Sequence, residues 1–136
     1  YELMSAGIDT TLLCDNMAAS LMAAGRVDII FVGADRVAKN GDVANKIGTL
    51  SLAINAAHFG VPFYVCAPSS TLDLASATGQ QIVIEQRDPQ EVTEMWYRER
   101  MAPAGVGVYN AAFDVTPHQL SSGLITEDGI GRDTGE

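Results

Sequence analysis

The residues of this chain best suited to chemistry lie between positions 33 and 49. Asp35 follows the apolar run Ile29-Ile30-Phe31-Val32 after only Gly33 and Ala34. A carboxyl just beyond a buried strand meets low-dielectric surroundings, which favour its protonated form and suit it to act as a general acid. Ten residues on, Asn45, Lys46, Gly48 and Thr49 open an apolar helical pattern. Free backbone N–H groups, the helix dipole and a lysine charge at such a point all favour an anion, and a phosphate fits. Plainer readings stand beside both. Asp35 can pair with adjacent Arg36 or cap a turn, and Asn45 and Lys46 can be a helix cap and a solvated lysine.

Spacing narrows the chemistry further. Gly41 precedes Lys46, but no Gly-Lys-Ser/Thr run exists, and no GxGxxG follows the first strand, so nucleotide hydrolysis and dinucleotide binding have little support. Asn40-Gly41-Asp42 reads as a tight turn, because the other carboxylates of a calcium loop are missing. His58 and His118 are isolated in sequence, and a helix end and a cap suit them better than metal ligation. Cys14 and Cys66 sit far apart in apolar runs without a CxxC motif, the pattern of two reduced, buried thiols in a cytosolic protein. Trp96-Tyr97 fits packing under a loop better than an aromatic lid.

The elements that position these residues follow from the hydrophobic pattern. Residues 10–14, 28–32 and 61–67 read as buried strands, with 81–85 and 106–109 as further candidates. Asp15-Asn16 caps a helix to about residue 24 that Gly25 stops; a second helix covers 47–58 and ends at Gly60. Residues 33–45 read as a polar loop, Thr116-Pro117-His118-Gln119 as a helix start with Gly123 as its stop, and 132–136 as a frayed tail. Strand and helix alternate, which predicts an α/β fold, Rossmann-like in outline, with a mostly parallel sheet and helices on both faces.

At 136 residues the chain fits one domain. Eight Lys and Arg against seventeen Asp and Glu give a net charge of −9, which excludes the basic footprint that nucleic acid requires. Apolar residues make up 47% and charged residues only 18%, against about 25% charged in typical domains. Such a chain can bury a sizeable core and cover a further surface with a partner. Every apolar run stops short of the ~18 residues of a membrane span, so no membrane association is expected. Tyr1-Glu2-Leu3-Met4-Ser5-Ala6-Gly7 reads as the last turns of a helix stopped by Gly7, and the chain is expected to be a fragment.

Several segments taken in order carry a resemblance. Asp15-Asn16-Met17-Ala18, Val32-Gly33-Ala34-Asp35-Arg36, Asn40-Gly41-Asp42 and Asn45-Lys46-Ile47-Gly48-Thr49 follow one another as in the methylthioribose-1-phosphate isomerase family. So do Pro68-Ser69-Ser70-Thr71-Leu72-Asp73, the run from Tyr109 to Pro117, and Ile125-Thr126-Glu127-Asp128-Gly129-Ile130. The likeness spans nearly the whole chain. That family also resembles the regulatory α, β and δ subunits of eukaryotic initiation factor 2B and ribose-1,5-bisphosphate isomerase.

The resemblance implies a fold of sugar-phosphate isomerase or CoA-transferase type, with residues 1–136 as a single C-terminal catalytic domain lacking an upstream N-terminal domain. It implies a cytoplasmic homodimer of methionine salvage, acting on a phosphorylated pentose without metal or organic cofactor. The aspartate of the family's Gly-Ala-Asp-Arg motif is its acid/base residue, which carries over to Asp35. The substrate-contacting Asn-Lys pair carries over to Asn45 and Lys46. The family's catalytic cysteine, an arginine-containing phosphate loop and a substrate-binding glutamine would precede Tyr1, so neither Cys14 nor Cys66 takes the cysteine's role, and this chain alone is expected to be inactive. Three functions remain open: isomerase of methylthioribose 1-phosphate, isomerase of a different phosphorylated pentose, and non-catalytic subunit of initiation-factor type.

Overall fold

Short β-branched and aromatic runs broken by glycine, proline and small polar residues favour many brief strands over a few long ones. In the computed structural model, which describes residues 1–131, the chain begins with α1 (Glu2–Ser5), a 3-10 turn (Asp15–Met17) and α2 (Ala18–Ala23). Then come β1 (Ile30–Val32), β2 (Arg36–Ala38), β3 (Val43–Lys46), α3 (Thr49–Phe59) and β4 (Phe63–Cys66). A 3-10 turn (Ser69–Thr71), β5 (Leu72–Asp73), a 3-10 turn (Gly79–Gln81) and α4 (Gln90–Thr93) follow. The chain closes with β6 (Phe113–Thr116), a 3-10 turn (His118–Leu120), β7 (Gly123–Thr126) and β8 (Gly129–Gly131). The tail at 132–136 lies outside the described residues.

The fold is α/β as expected, but its strands form two four-stranded sheets. In the first, β1, β4 and β7 run parallel and β8 adds an antiparallel edge. In the second the order is β5-β2-β3-β6, antiparallel except between β5 and β2. One core joins both sheets to α2 and α3, through Met22, Val37, Val43, Ala53, Ala56, Phe63 and Val65. The longest helix, α3, is bounded by Gly48 and Gly60, both left-handed. Past its end the Val61 N–H reaches back to the Ala56 carbonyl at 2.8 Å, the Schellman closure that lets the chain turn straight into β4. Its buried residues, Thr49, Ala53 and Ala56, are small and share one face, so the helix lies close on the sheet.

Several expected elements take another form. Residues 10–14 form no strand, and Leu12 is 97% exposed; a β-branched run stays irregular when no ladder partner among the described residues satisfies its backbone. The supposed loop at 33–45 contains the β2–β3 hairpin, whose short strands the polar composition hid. Residues 81–85 lack a ladder, although one isolated bridge joins Gln86 to Ala111. Residues 106–109 are irregular as well, and the late strand is β6, which pairs with β3.

The helix expected from Thr116 shrinks to a 3-10 turn, and Gly123 opens β7 instead of ending a helix. A Cβ there would sit 3.0 Å from the Gly131 carbonyl and 3.2 Å from the Tyr64 ring, so close approach explains this glycine. Cys14 and Cys66 are free thiols as expected, but both are exposed. Trp96 is 78% exposed, so the packing under a loop expected of it is not formed among the described residues. Among the described residues no helix is long and apolar enough to cross a membrane.

Candidate functional site

The β2–β3 hairpin places the candidate residues. Its turn closes as expected of Asn40-Gly41: the Gly41 N–H bonds the Ala38 carbonyl and the Ala38 N–H bonds the Asp42 carbonyl, each at 2.9 Å, with Gly41 at φ +90°. The ladder pairs Val37 with Val43 and Arg36 with Ala44. One residue further, the Asp35 N–H donates to the Ala44 carbonyl at 2.9 Å. The Asp35 backbone therefore lies beside the peptide that leads into Asn45, and Asp35, Asn45 and Lys46 meet at the open end of one hairpin.

Their side chains differ in setting. Asn45 is half-buried, and its Nδ2 donates to Thr49 Oγ1 at 3.1 Å; that hydroxyl in turn donates to the Lys46 carbonyl at 2.7 Å. Lys46 is exposed and stands 5.4 Å from the centroid of the Phe113 ring, its register partner on β6, a cation–π distance. Hydrogen bonds from Arg87 do most to hold Glu91 below the usual carboxylate range, and the Lys46 charge adds to them. Asp35 is exposed. The apolar enclosure expected around its carboxyl is not formed among the described residues. Nor does Asp35 pair with Arg36, whose guanidinium instead lies 3.8 Å from Asp73.

The helix start following Lys46 also departs from expectation. The N–H groups of Gly48 and Leu50 donate to the two carboxylate oxygens of Asp114, at 2.8 and 3.2 Å. Gly48 has no side chain with which to cap α3, and Asp114 supplies the missing acceptor from β6. The Gly48 and Leu50 amides are already committed to an internal anion, which removes them from the anion site expected at the helix start.

Lys46 faces a groove of about 450 Å³ between the β3–α3 turn and the 3-10 turn at Asp15–Met17, within the range of small-ligand sites. Cys14, Asp15, Asn16, Thr49 and Asn55 also line it, whereas Asp35 and Asn45 do not. In the sequence Asp15-Asn16 reads as a helix cap, and neither Asn55 nor Asp114 stands out as a site residue. For Asp114 a signal existed, a carboxylate between the strand-forming residues Phe113 and Val115. Asn55 carries none, since an amide on a helix is unremarkable without the groove beside it. His58 stacks edge-on against Phe59 at the end of α3. No three side chains of His, Cys, Asp or Glu come together as a metal site among the described residues.

An α/β domain with a carboxylate and an Asn-Lys pair at one hairpin end, beside a groove of small-molecule size, has the layout of proteins that carry small-molecule sites at the ends of strands. The chain is a member of the Initiation factor 2 subunit family, whose model matches residues 1–132. It is 64% identical over 132 residues to the methylthioribose-1-phosphate isomerase of Symbiobacterium thermophilum, covering 97% of this chain and 37% of that one. Among solved structures it is similar to 5-methylthioribose 1-phosphate isomerase from Pyrococcus horikoshii OT3, with 48% identity and a TM-score of 0.89 over 96% of this chain and 36% of that one. It is also similar to the translation initiation factor eIF-2B, subunit delta, from A. fulgidus, with 45% identity and a TM-score of 0.89 over 96% and 37% of the two chains. The chain thus spans well under half the length of the curated relatives it matches.

Proposed function

We propose that this chain carries the proton-transfer and substrate-holding part of an aldose–ketose isomerase of methionine salvage, converting 5-methylthioribose 1-phosphate into 5-methylthioribulose 1-phosphate. The observation that carries this reading is the 2.9 Å bond from the Asp35 N–H to the Ala44 carbonyl, which sets the acid/base candidate next to Asn45 and Lys46. The choice of substrate is supported by the likeness to methylthioribose-1-phosphate isomerases at 64% and 48% identity.

The anomeric carbon of this substrate carries the phosphate, so no free aldehyde exists and the ring must open before hydrogen can move. In the proposal Asp35 gives its proton to the ring oxygen as the bond from that oxygen to C1 breaks. A hydrogen then moves from C2 to C1, the C2 hydroxyl proton returns to the Asp35 carboxylate, and a ketone remains at C2. Substrate and product are isomers and the carboxyl ends as it began, so the step balances. Lys46 meets the phosphate charge. Asn45 commits Nδ2 to Thr49, which leaves Oδ1 to accept from a sugar hydroxyl.

Proton transfer of this kind calls for a dry site, and Asp35 is exposed in this chain. We read Leu12, Phe31, Trp96 and other exposed apolar side chains as surface that the full-length protein covers, by further chain and by a second subunit of a cytoplasmic homodimer. On this reading residues 1–136 are the C-terminal catalytic domain and are inactive by themselves.

A second reading, a non-catalytic subunit that binds a sugar phosphate, is favoured by the likeness to the A. fulgidus delta subunit, which equals the Pyrococcus isomerase in TM-score. One experiment separates them: turnover of 5-methylthioribose 1-phosphate by the full-length protein and by its Asp35→Asn variant. The isomerase reading expects turnover that falls about 10²–10⁴-fold in the variant, the usual worth of a general acid or base. Binding without turnover supports the second reading, and equal rates in both proteins remove Asp35 from its role.

A further inference from the structure

We propose that Asp114 is a positioning residue for the Asn45–Lys46 pair, holding the turn between β3 and α3 in the one shape that presents both side chains; the inference rests on the isomerase reading for its kinetic arm only. The turn is built from residues that cannot hold themselves. Ile47 is exposed, and Gly48 is left-handed at φ +104° with no side chain to cap the helix it begins. A glycine at this point leaves the turn free to swing and the first amides of α3 without acceptors.

Strand β6 and the residue before it supply what the turn lacks. The Ala112 carbonyl accepts the Ile47 N–H at 3.1 Å. The Asp114 carboxylate takes the Gly48 and Leu50 N–H groups, one on each oxygen, across 66 residues of sequence. The β3–β6 register sets Asp114 opposite Asn45 and Phe113 opposite Lys46. Both members of the pair therefore face the segment that fixes the turn, and the Phe113 ring lies beneath the Lys46 ammonium. Thr49 closes the circuit. It is the first residue of α3 and is buried; it donates to the Lys46 carbonyl and accepts from Asn45 Nδ2. Orientation passes from the Asp114 carboxylate to the α3 amides, through Thr49, to Asn45 and Lys46.

A charged carboxylate with one oxygen on each of two amides is a stronger clamp than a neutral side chain could be. Asp114→Asn keeps one acceptor oxygen without the charge, and Asp114→Ala keeps none. Lys46 offers a readout independent of any substrate, because its ammonium sits over the Phe113 ring, where the ring current should shift the resonances at the end of the side chain.

The test is made in the full-length protein, with lysine labelled for NMR and the resonances of Phe63 and Val65 as a check on the core. The expected result is loss of the Lys46 ring-current shift in Asp114→Ala, partial retention in Asp114→Asn, and unchanged core resonances. A Lys46 shift that stays at its wild-type value in Asp114→Ala overturns the proposal; if that variant does not fold, an unchanged shift in Asp114→Asn overturns it instead. In the kinetic arm, Asp114→Ala lowers kcat about tenfold or more, in keeping with what a displacement of about 1 Å costs at a reacting centre. Adding Lys46→Ala to it costs less than Lys46→Ala costs alone, because one change already disables the other's residue. Fully additive losses overturn the positioning role. A wild type without turnover defeats the isomerase reading alone and leaves the spectroscopic result to decide for Asp114.

Discussion

His118 and Asp42, 76 residues apart in the chain, meet twice at one oxygen: the His118 N–H donates to Asp42 Oδ1 at 2.9 Å, and the ring Nδ1 lies 3.0 Å from the same atom. The other carboxylate oxygen accepts from Asn40 Nδ2 and the Gly79 N–H, each at 3.0 Å. One carboxylate thus ties together the β2–β3 turn, the 3-10 turn that begins at Gly79 and the 3-10 turn that follows β6. It keeps the hairpin carrying Asp35 and Asn45 in register with the rest of the second sheet.

Acid should therefore loosen this chain through Asp42. Burial pushes its carboxyl up, but the Gly79 and His118 amides, with the Asn40 and His118 side chains, outweigh burial and hold it at about 2, against an ordinary 3.8. With the folded value below the unfolded one, the stabilisation is fully present above the unfolded value and is lost as pH falls through the folded one. The gap is worth about 2 kcal/mol. In urea titrations Asp42→Ala should be less stable than wild type by at least that amount near neutrality, and the difference should narrow as pH falls from about 4 to about 2. A difference that does not change across that window would show that the charge contributes nothing.

Gly79 fills the space beside the same carboxylate. A Cβ there would fall inside the contact radius of Val115 Cγ1 and 2.9 Å from Asp42 Cβ. The Asp42 carboxylate is held by four hydrogen-bonding contacts and Val115 by the β6 ladder, so neither can yield freely. Gly79→Ala should cost about 1–3 kcal/mol, the usual cost of overpacking, read as a lower denaturation midpoint at unchanged urea slope. A midpoint equal to wild type would mean that the turn relaxes without penalty.

Both thiols should react with a water-soluble disulfide reagent in the folded chain, since Cys14 and Cys66 are exposed and unpaired. Two equivalents of released thiolate without denaturant are expected from residues 1–136. A thiol that reacts only after urea is added would be one that the fold covers.

Phe63 is 1% exposed, at the centre of the core that joins the two sheets. Phe63→Ala should cost about 3–5 kcal/mol, a large share of the 5–15 kcal/mol available to a domain of this size. Thermal melts should show a strongly lowered Tm or no cooperative transition. A loss below about 1 kcal/mol would mean that neighbouring side chains collapse into the space.

Some of this was legible from composition and spacing. Strands β1 and β4 are continuous apolar runs, and α3 shows its periodicity and its Gly60 stop; each is dictated by side chains near in sequence, so the pattern alone locates them. The tight turn at Asn40-Gly41 belongs with them, because glycine at positive φ is a local requirement. Asp35, Asn45 and Lys46 are legible as candidates from their places just past an apolar run and just before a helical pattern, and the family resemblance adds their expected roles.

Tertiary structure decided the rest, and the reason is common to each case. Strands β2, β3 and β6 exist through hydrogen bonds to segments far away in the chain, while residues 10–14, stronger in β-forming residues, remain irregular among the described residues without such a ladder. The α3 amides, free on paper for a phosphate, are taken by Asp114. The exposure of Asp35 and of the two cysteines depends on what packs over them, which no window of neighbouring residues records. Local conformational preference is written into adjacent side chains, whereas pairing, capping and burial are properties of the segment that arrives from elsewhere.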